Sequence, residues 1–82
     1  MFYVYILRSI NSKDELYTGF TSDLKSRIAE HNSGKSRHTS KSMPWEIIFY
    51  CSFAKKKLAL DFEKYLKSGS GIAFRNKHLI QK

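Results

Sequence analysis

The segment FYVYIL at residues 2–7 constrains the fold most, because every side chain in it is aromatic, β-branched or leucine. Such a run predicts a β-strand. A polar turn follows, and LYTGF at residues 16–20 predicts a second strand that pairs with the first as an antiparallel hairpin. Side chains alternate along a strand, so Tyr3 and Tyr5 should share one face of this hairpin.

A helix is predicted directly after the hairpin, over residues 24–32. The hydroxyl and carboxylate side chains at residues 21–23 can cap its first backbone N–H groups, and Gly34 can end it. Leu24 and Ile28 lie one turn apart, so both should face the core.

After this helix the sequence predicts a polar loop, then a third strand and then a second helix. Residues 33–42 contain no large apolar side chain, which predicts an exposed loop of positive charge. Pro44 ends this loop, and WEIIFYC at residues 45–51 predicts a third strand, which we place at the centre of the sheet. Helical spacing returns over residues 54–67, where the apolar stripe expected to face the core is Leu58, Phe62 and Leu66.

The C-terminal segment predicts a further short helix. Gly69 and Gly71 are expected to break the second helix, and a third helix over residues 73–80 should pack Phe74 and Leu79 onto the sheet. The element order is then β-β-α-β-α-α. This order predicts an α+β fold in which helices flank a small three-stranded antiparallel sheet.

Composition limits the class of protein. The 82 residues suit one domain, 1–82, and Cys51 is the only cysteine, so a disulfide scaffold is excluded. No signal peptide or membrane span is recognisable, and we expect a cytoplasmic protein with no membrane partner. The net charge is +8 and the pI is about 9.8, which is typical of proteins that bind a polyanion such as nucleic acid; a lysine-rich surface without such a partner is the alternative. Tyr5 and Tyr17 of the hairpin are expected to face a phosphate of the nucleic acid.

Several motifs resemble those of the GIY-YIG nuclease family. YVY at residues 3–5 and YTG at residues 17–19 are similar to the two signature tripeptides, and TSDLKSRIAEHN at residues 21–32 matches the family's pattern T-x-D-L-x-x-R-x-x-x-H-N. Thr39, PWE at residues 44–46, and then Ala59, Glu63 and Lys67 follow in the family's order. The resemblance covers essentially the whole chain and is closest to short stand-alone bacterial members.

The chain departs from the family pattern at two positions. Tyr3 stands where the first tripeptide has glycine, and Thr18 stands where the second has isoleucine. Neither change removes a proposed catalytic group.

The resemblance implies a GIY-YIG-type endonuclease that cuts a phosphodiester bond of DNA with one Mg²⁺ or Mn²⁺ ion as cofactor. It implies that Tyr17 orients or deprotonates the attacking water with support from Tyr5. Arg27 would stabilise charge on the phosphoryl oxygens, and Glu63 would hold the ion.

General chemistry is compatible with these roles. Mg²⁺ keeps several waters and borrows phosphate oxygens, so one carboxylate can suffice, and an arginine fork suits phosphate. An unperturbed tyrosine, with a pKa of about 10, is a weak base at neutral pH, but nearby cations lower that value. We rank Tyr17 first as the group that takes the proton of the attacking water. His31, one turn after Arg27, is the second candidate for this role.

Each residue also has a purely structural interpretation. Strand tyrosines commonly pack within a sheet, Arg27 could be a solvated helix residue, and Glu63 could pair with Lys67 one turn later. Gly19 suits strand geometry or the close approach of a substrate better than chemistry. The histidines and the cysteine lack the paired spacing of a zinc site. Only the joint pattern favours the catalytic interpretation.

The basic side chains predict contacts along a DNA backbone. The loop candidates are Lys35, Arg37, His38 and Lys41. Further contacts could come from KKK at residues 55–57 and from the pair Arg75 and Lys77. Residues 55–57 could equally form a solvated helix face. Phosphate contacts position DNA without reading its sequence. We therefore expect an endonuclease of low sequence specificity, structure-selective and linked to DNA repair or recombination. The alternative is a catalytically weak nucleic-acid-binding module that acts through partners.

Overall fold

The computed structural model describes residues 1–80 as a three-stranded antiparallel sheet with helices on both faces. The strands are β1 (Phe2–Ser9), β2 (Leu16–Thr21) and β3 (Trp45–Phe53). The helices are α1 (Leu24–Asn32), α2 (Lys56–Leu66) and α3 (Gly69–Phe74), with a 3₁₀ turn at Ser40–Ser42 and a π-helical turn at Arg75–Leu79. The predicted α+β fold and the order β-β-α-β-α-α are confirmed.

The central strand is β1, so the placement of β3 at the centre of the sheet was wrong. The strand order is β2-β1-β3, and β1 pairs antiparallel with both neighbours. Four consecutive residues of β1, Val4–Leu7, are fully buried because strands cover both of its edges and helices cover both of its faces. In contrast, most residues of β3 keep exposed surface. The apolar composition of β3 therefore reflects one covered face of an edge strand.

One face of the sheet packs against α2. Val4 and Ile6 form a buried cluster with Ala59 and Leu66. Fully burying an aliphatic side chain of this size stabilises a fold by about 1.5–3 kcal/mol. The predicted stripe on α2 was wrong for Leu58, which is 52% exposed, because α2 turns the neighbouring Ala59 toward the sheet instead. The other two members of the stripe pack on the cluster as predicted.

The opposite face packs against α1. Tyr5 and Leu7 form a second buried cluster with Trp45, and Leu24 and Ile28 of α1 pack against it as predicted. Because side chains alternate along β1, the aromatic candidates of this strand lie on the side of the sheet that α1 covers.

The ends of α1 are fixed by side-chain hydrogen bonds and a glycine. The Asp23 carboxylate accepts the Ser26 N–H at 3.2 Å, and Gly34 follows the helix with φ +81°, a conformation that favours glycine. The Asn32 amide donates to the Trp45 carbonyl at 3.0 Å and accepts the Trp45 N–H at 2.5 Å. These last two bonds attach the end of α1 to the start of β3.

The glycines near the C-terminal end do not act as predicted. They were expected to break a helix, but α3 begins at Gly69 and includes Gly71. The Ser68 hydroxyl caps this helix by accepting the Gly71 N–H at 3.2 Å. The third helix therefore starts four residues before the predicted residue 73.

The aromatic and aliphatic side chains after α3 pack in different places. Leu79 contacts the α2-side core as predicted. Phe74 contacts Tyr65 of α2, with ring centroids 6.1 Å apart, and its predicted packing onto the sheet was wrong. No helix within residues 1–80 combines the length and the apolar character needed to cross a bilayer.

Replacing Gly71 by alanine should destabilise the protein, because the new Cβ would lie 2.5 Å from the Tyr65 carbonyl carbon and α3 would have to move away from α2. Urea denaturation should record a loss of about 1–3 kcal/mol in the free energy of unfolding. Gly69→Ala is the matched control, since a Cβ there meets nothing within 4 Å. It should be neutral or stabilise by up to about 1 kcal/mol. Equal losses in both variants would contradict this account of the α2–α3 contact.

Candidate active site

Five of the predicted site residues come together from both hairpin strands and from helices on opposite faces of the sheet. The ring centroids of Tyr5 and Tyr17 are 6.3 Å apart, and those of Tyr17 and His31 are 4.9 Å apart. The Arg27 guanidinium donates a hydrogen bond to the Tyr5 hydroxyl, and Glu63 lies near enough for its charge to act on Tyr5.

The Tyr5 hydroxyl is buried and hydrogen-bonded. Tyr5 has no exposed surface, and its oxygen lies 2.9 Å from His31 Nε2. Burial raises the pKa of Tyr5 above its ordinary 10.0, against the opposing effect of the hydrogen bond from Arg27. Tyr5 is therefore a neutral phenol at neutral pH. The expectation that both hairpin tyrosines face a phosphate was wrong for Tyr5, because packing against α1 removes it from solvent.

His31 links Tyr5 to the loop after α1. His31 is fully buried, and its Nδ1 lies 2.8 Å from Thr39 Oγ1. Because Arg27 donates to the Tyr5 oxygen, the phenol proton is directed to Nε2, and we assign the imidazole proton to Nδ1, where it is donated to Thr39. Burial, and then the positive charge of Arg27, lowers the pKa of His31, so the ring is neutral at neutral pH.

The burial of His31 bears on its predicted chemical role. A general base must lie within hydrogen-bond reach of the proton that it takes. Both ring nitrogens of His31 are occupied by Tyr5 and Thr39, and no ring surface reaches solvent. This position suits a residue that orients Tyr5 better than one that deprotonates a water.

Thr39 is a site residue whose role the sequence did not reveal. The loop was predicted to be exposed, yet Thr39 is only 1% exposed. Its carbonyl accepts the Trp45 indole N–H at 2.9 Å, while its hydroxyl contacts His31. The one signal available in the sequence was its place in the family's order of motifs, because a threonine among small polar residues carries no mark of burial.

The loop that contains Thr39 is held at its other end by Ser9, which donates to the Ser42 carbonyl at 2.6 Å. Its basic side chains remain on the surface. All four predicted candidates are exposed: Lys35, Arg37, His38 and Lys41.

Gly19 has a steric reason to be glycine. It lies opposite Tyr5 in the register of β1 and β2. A Cβ at Gly19 would lie 2.5 Å from Tyr5 Cζ and 3.0 Å from Tyr17 Cε2. Any larger residue would push the Tyr5 ring away from His31, so Gly19 serves the close packing of the two tyrosines.

Arg27 extends from the buried cluster to the surface. Its guanidinium donates to Tyr5 and also to Glu30 Oε2, at 3.0 Å, and its side chain is 37% exposed. The hydrogen bond to Tyr5 is the main cause that raises the pKa of Arg27 above its ordinary value. The arrangement leaves a permanent positive charge at the boundary between the tyrosines and solvent.

Glu63 makes the ion pair that the sequence allowed. Its Oε2 lies 3.2 Å from Lys67 Nζ, which confirms the ion pair between successive turns of α2. Its side chain is also 21% exposed, and its negative charge contributes to the raised pKa of Tyr5. Within residues 1–80 no group of three or more His, Cys, Asp or Glu converges on a point. One carboxylate with water and phosphate oxygens fits Mg²⁺, whereas it does not form a closed zinc cage.

The lowered pKa of His31 makes the stability of the protein depend on pH. The unfolded chain binds a proton at His31 near pH 6.5, but the folded chain resists it, so stability is complete above that pH and falls below it. We expect a lower free energy of unfolding at about pH 5 than at about pH 7.5 in urea denaturation.

The control for this prediction is the exposed His38. His38→Gln should keep the pH dependence of wild type, whereas His31→Gln should reduce it. If the latter variant does not fold, an NMR titration of the wild-type imidazole rings gives the answer directly. A His31 midpoint at or above 6.5 would contradict the prediction.

Comparison with known proteins identifies the family of the chain. The family model of the GIY-YIG catalytic domain matches residues 1–75. UPF0213 proteins of Streptococcus pyogenes serotype M3 and serotype M5 (strain Manfredo) are each 38% identical to the chain over 66 residues, which are 79% of this chain and 70% of the relative. The solution NMR structure of a UPF0213 protein from Bacillus halodurans is similar with a TM-score of 0.55 and 31% identity, over 94% of this chain and 84% of that one. The chain therefore belongs to the GIY-YIG family and carries its nuclease-type catalytic domain.

Proposed function

We propose that this protein is a metal-dependent endonuclease that hydrolyses phosphodiester bonds of DNA. The nuclease-type domain supports the reaction class. The observation that supports the proposal is the packing of Tyr17 against the buried pair of Tyr5 and His31, with Arg27 hydrogen-bonded to Tyr5 and the charge of Glu63 acting on Tyr5. An aromatic hydroxyl, a permanent cation and a carboxylate can respectively orient the attacking water, stabilise charge on the phosphate and hold a metal ion.

Tyr17 and Arg27 act on the reacting atoms. Tyr17 is half-buried, and its oxygen orients the attacking water and, in the phenolate form, takes the proton of that water as the water oxygen bonds to phosphorus. The bond from phosphorus to the leaving sugar oxygen breaks in the same displacement. The exposed end of Arg27 donates to the non-bridging phosphoryl oxygens, where negative charge is largest in the transition state.

Glu63 is the residue that would hold one Mg²⁺ or Mn²⁺ ion. GIY-YIG nucleases depend in general on divalent metal ions. When bound, such an ion neutralises charge on the phosphate and on the leaving oxygen. In the structure this carboxylate already has a cationic partner, with Lys67 Nζ 3.2 Å from Glu63 Oε2.

Tyr5 and His31 are positioning residues in this proposal. The Tyr5 oxygen accepts from Arg27, so the fixed phenol sets the direction of the guanidinium. His31 and Thr39 in turn set the direction of the Tyr5 proton. A guanidinium held in place before the substrate arrives stabilises developing charge without a cost of reorientation.

In the proposed function, the exposed basic loop binds the DNA backbone. Cations on such a loop contact phosphates, which carry no sequence information, and their contribution to binding is strongly salt-dependent. Selectivity would then come from the structure of the DNA. Branched or nicked DNA, of the kind that arises in repair and recombination in the cytoplasm, is the substrate class that we propose.

Glu63→Gln should abolish metal-dependent cleavage. The amide keeps the size of the side chain but lacks the charge that attracts a divalent ion, and we expect a loss of at least about a hundredfold. Nicked, branched and linear DNA are incubated with Mg²⁺, Mn²⁺ or EDTA, and products are separated on denaturing gels. Asp61→Asn is the matched control, because Asp61 lies on the same helix, is exposed and pairs with Lys57 at 3.0 Å.

The outcome of this assay separates the two function classes. Metal-dependent cleavage by wild type and by Asp61→Asn, but not by Glu63→Gln, supports the endonuclease. Binding of every DNA without cleavage by wild type would contradict it and would leave the nucleic-acid-binding module.

Phenylalanine substitutions should separate the roles of the two tyrosines. Tyr17→Phe removes the hydroxyl next to the reacting water and should lower kcat by about a hundredfold or more with little change in stability. Tyr5→Phe leaves the His31 and Arg27 nitrogens without their buried partner and should also lower the free energy of unfolding by about 1–3 kcal/mol. Single-turnover rates and urea denaturation measure the two effects. A stable Tyr5→Phe protein with unchanged kcat would argue against a positioning role.

A further inference from the structure

A groove beside Tyr17 contains two cations that the proposed hydrolysis does not use. It has a volume of about 300 Å³ and is lined by the start of β2, the end of α2 and α3 with the residue that follows it. Leu66 and Ile72 give it apolar surface, and Lys67 and Arg75 bring positive charge. Tyr17 also lines it, so the groove adjoins the position where the phosphate to be cut would lie.

Lys67 forms an ion pair with Glu63, the carboxylate that would hold the metal ion. Its Nζ lies 3.2 Å from Glu63 Oε2, and 54% of the Lys67 side chain is exposed. An exposed pair of this kind is weak, and the lysine stem is flexible. A divalent cation bound at Glu63 would repel the ammonium group at this distance. Lys67 must then move, and the groove beside it is the adjacent space that it already lines.

Arg75 is held in an orientation suited to an anion. Its Nε and Nη2 both donate to Asn76 Oδ1, at 3.2 and 3.1 Å. These two bonds restrain the guanidinium plane, yet an arginine carries five N–H donors and keeps others for a further acceptor. The side chain is half-buried, so less of its rotamer freedom remains to be lost on binding.

We propose that Lys67 and Arg75 bind a second phosphate of the DNA strand, next to the one that is cut, and that Lys67 moves from Glu63 to this phosphate when a divalent ion binds. The inference rests on the proposed function for the identity of the metal carboxylate. Each charged group keeps a partner of opposite charge in this exchange, because the ion replaces the ammonium at Glu63 and the ammonium then neutralises a phosphate.

The test measures DNA binding without cleavage, in a Glu63→Gln protein that lacks the charge holding Lys67. The fluorescence anisotropy of a short fluorescein-labelled duplex with one nick is followed over a series of KCl concentrations in EDTA. Adding Lys67→Ala or Arg75→Gln should weaken binding several-fold and lower the slope of log Kd against log salt by about 0.9, the value for one lost phosphate contact. Lys57→Ala is the matched control, because Lys57 makes the same type of pair with Asp61 on α2.

A second comparison tests the movement of Lys67. In EDTA and with Glu63 intact, Lys67 is retained by the carboxylate, so Lys67→Ala should weaken DNA binding less than it does in the Glu63→Gln protein. Equal effects in the two backgrounds would overturn the exchange. Slopes for the Lys67 and Arg75 variants that match that of the Lys57 variant would overturn the phosphate site.

The second phosphate site and the proposed endonuclease activity can be rejected independently of each other. Unchanged slopes in a protein whose wild type cleaves DNA would remove the second phosphate site alone. Changed slopes in a protein that never cleaves would retain the site and remove the endonuclease. Thermal melts of each variant confirm that the proteins compared are folded.

Discussion

The hydrogen bond between the Tyr5 hydroxyl and His31 is the interaction on which the candidate site depends. It joins the central strand to the helix that covers one face of the sheet, and both residues are fully buried. The Tyr5 ring reaches His31 only because Gly19, on the neighbouring strand, leaves room for it. His31 is in turn hydrogen-bonded to Thr39, and the Tyr5 hydroxyl also accepts a hydrogen bond from Arg27. Hydrogen bonds through one buried phenol thus connect a strand, a helix, a loop and a surface cation.

The site divides into an uncharged interior and a charged boundary. Burial keeps Tyr5 protonated and His31 neutral, which avoids the high cost of an ion in the core. Arg27 and Glu63 retain exposed surface, and each makes an ion pair there. Tyr17 lies between the two layers. The interior can therefore hold its geometry over neutral pH while the boundary exchanges cations and phosphates.

The sequence predicted α1 to the residue because capping, periodicity and a stop at Gly34 agreed with one another. It misplaced β3 because an apolar run looks the same in an edge strand with one covered face as in a central strand. The glycines of α3 were misread because their reason is close contact with α2, which only the assembled helices reveal. For the site, the motif residues could be named in advance, but the burial of Tyr5, His31 and Thr39 could not. That burial is a property of packing, which spacing along the chain does not encode.

The two hydrogen bonds between Asn32 and Trp45 have a consequence for the basic loop that they enclose. They bring the ends of the loop together, and Thr39 and Ser42 fasten its later part to the core. The backbone entropy of this segment is thus lost when the protein folds and not when a ligand arrives. Its exposed cations form a preformed surface, so an anion that binds there meets side chains that need little further ordering.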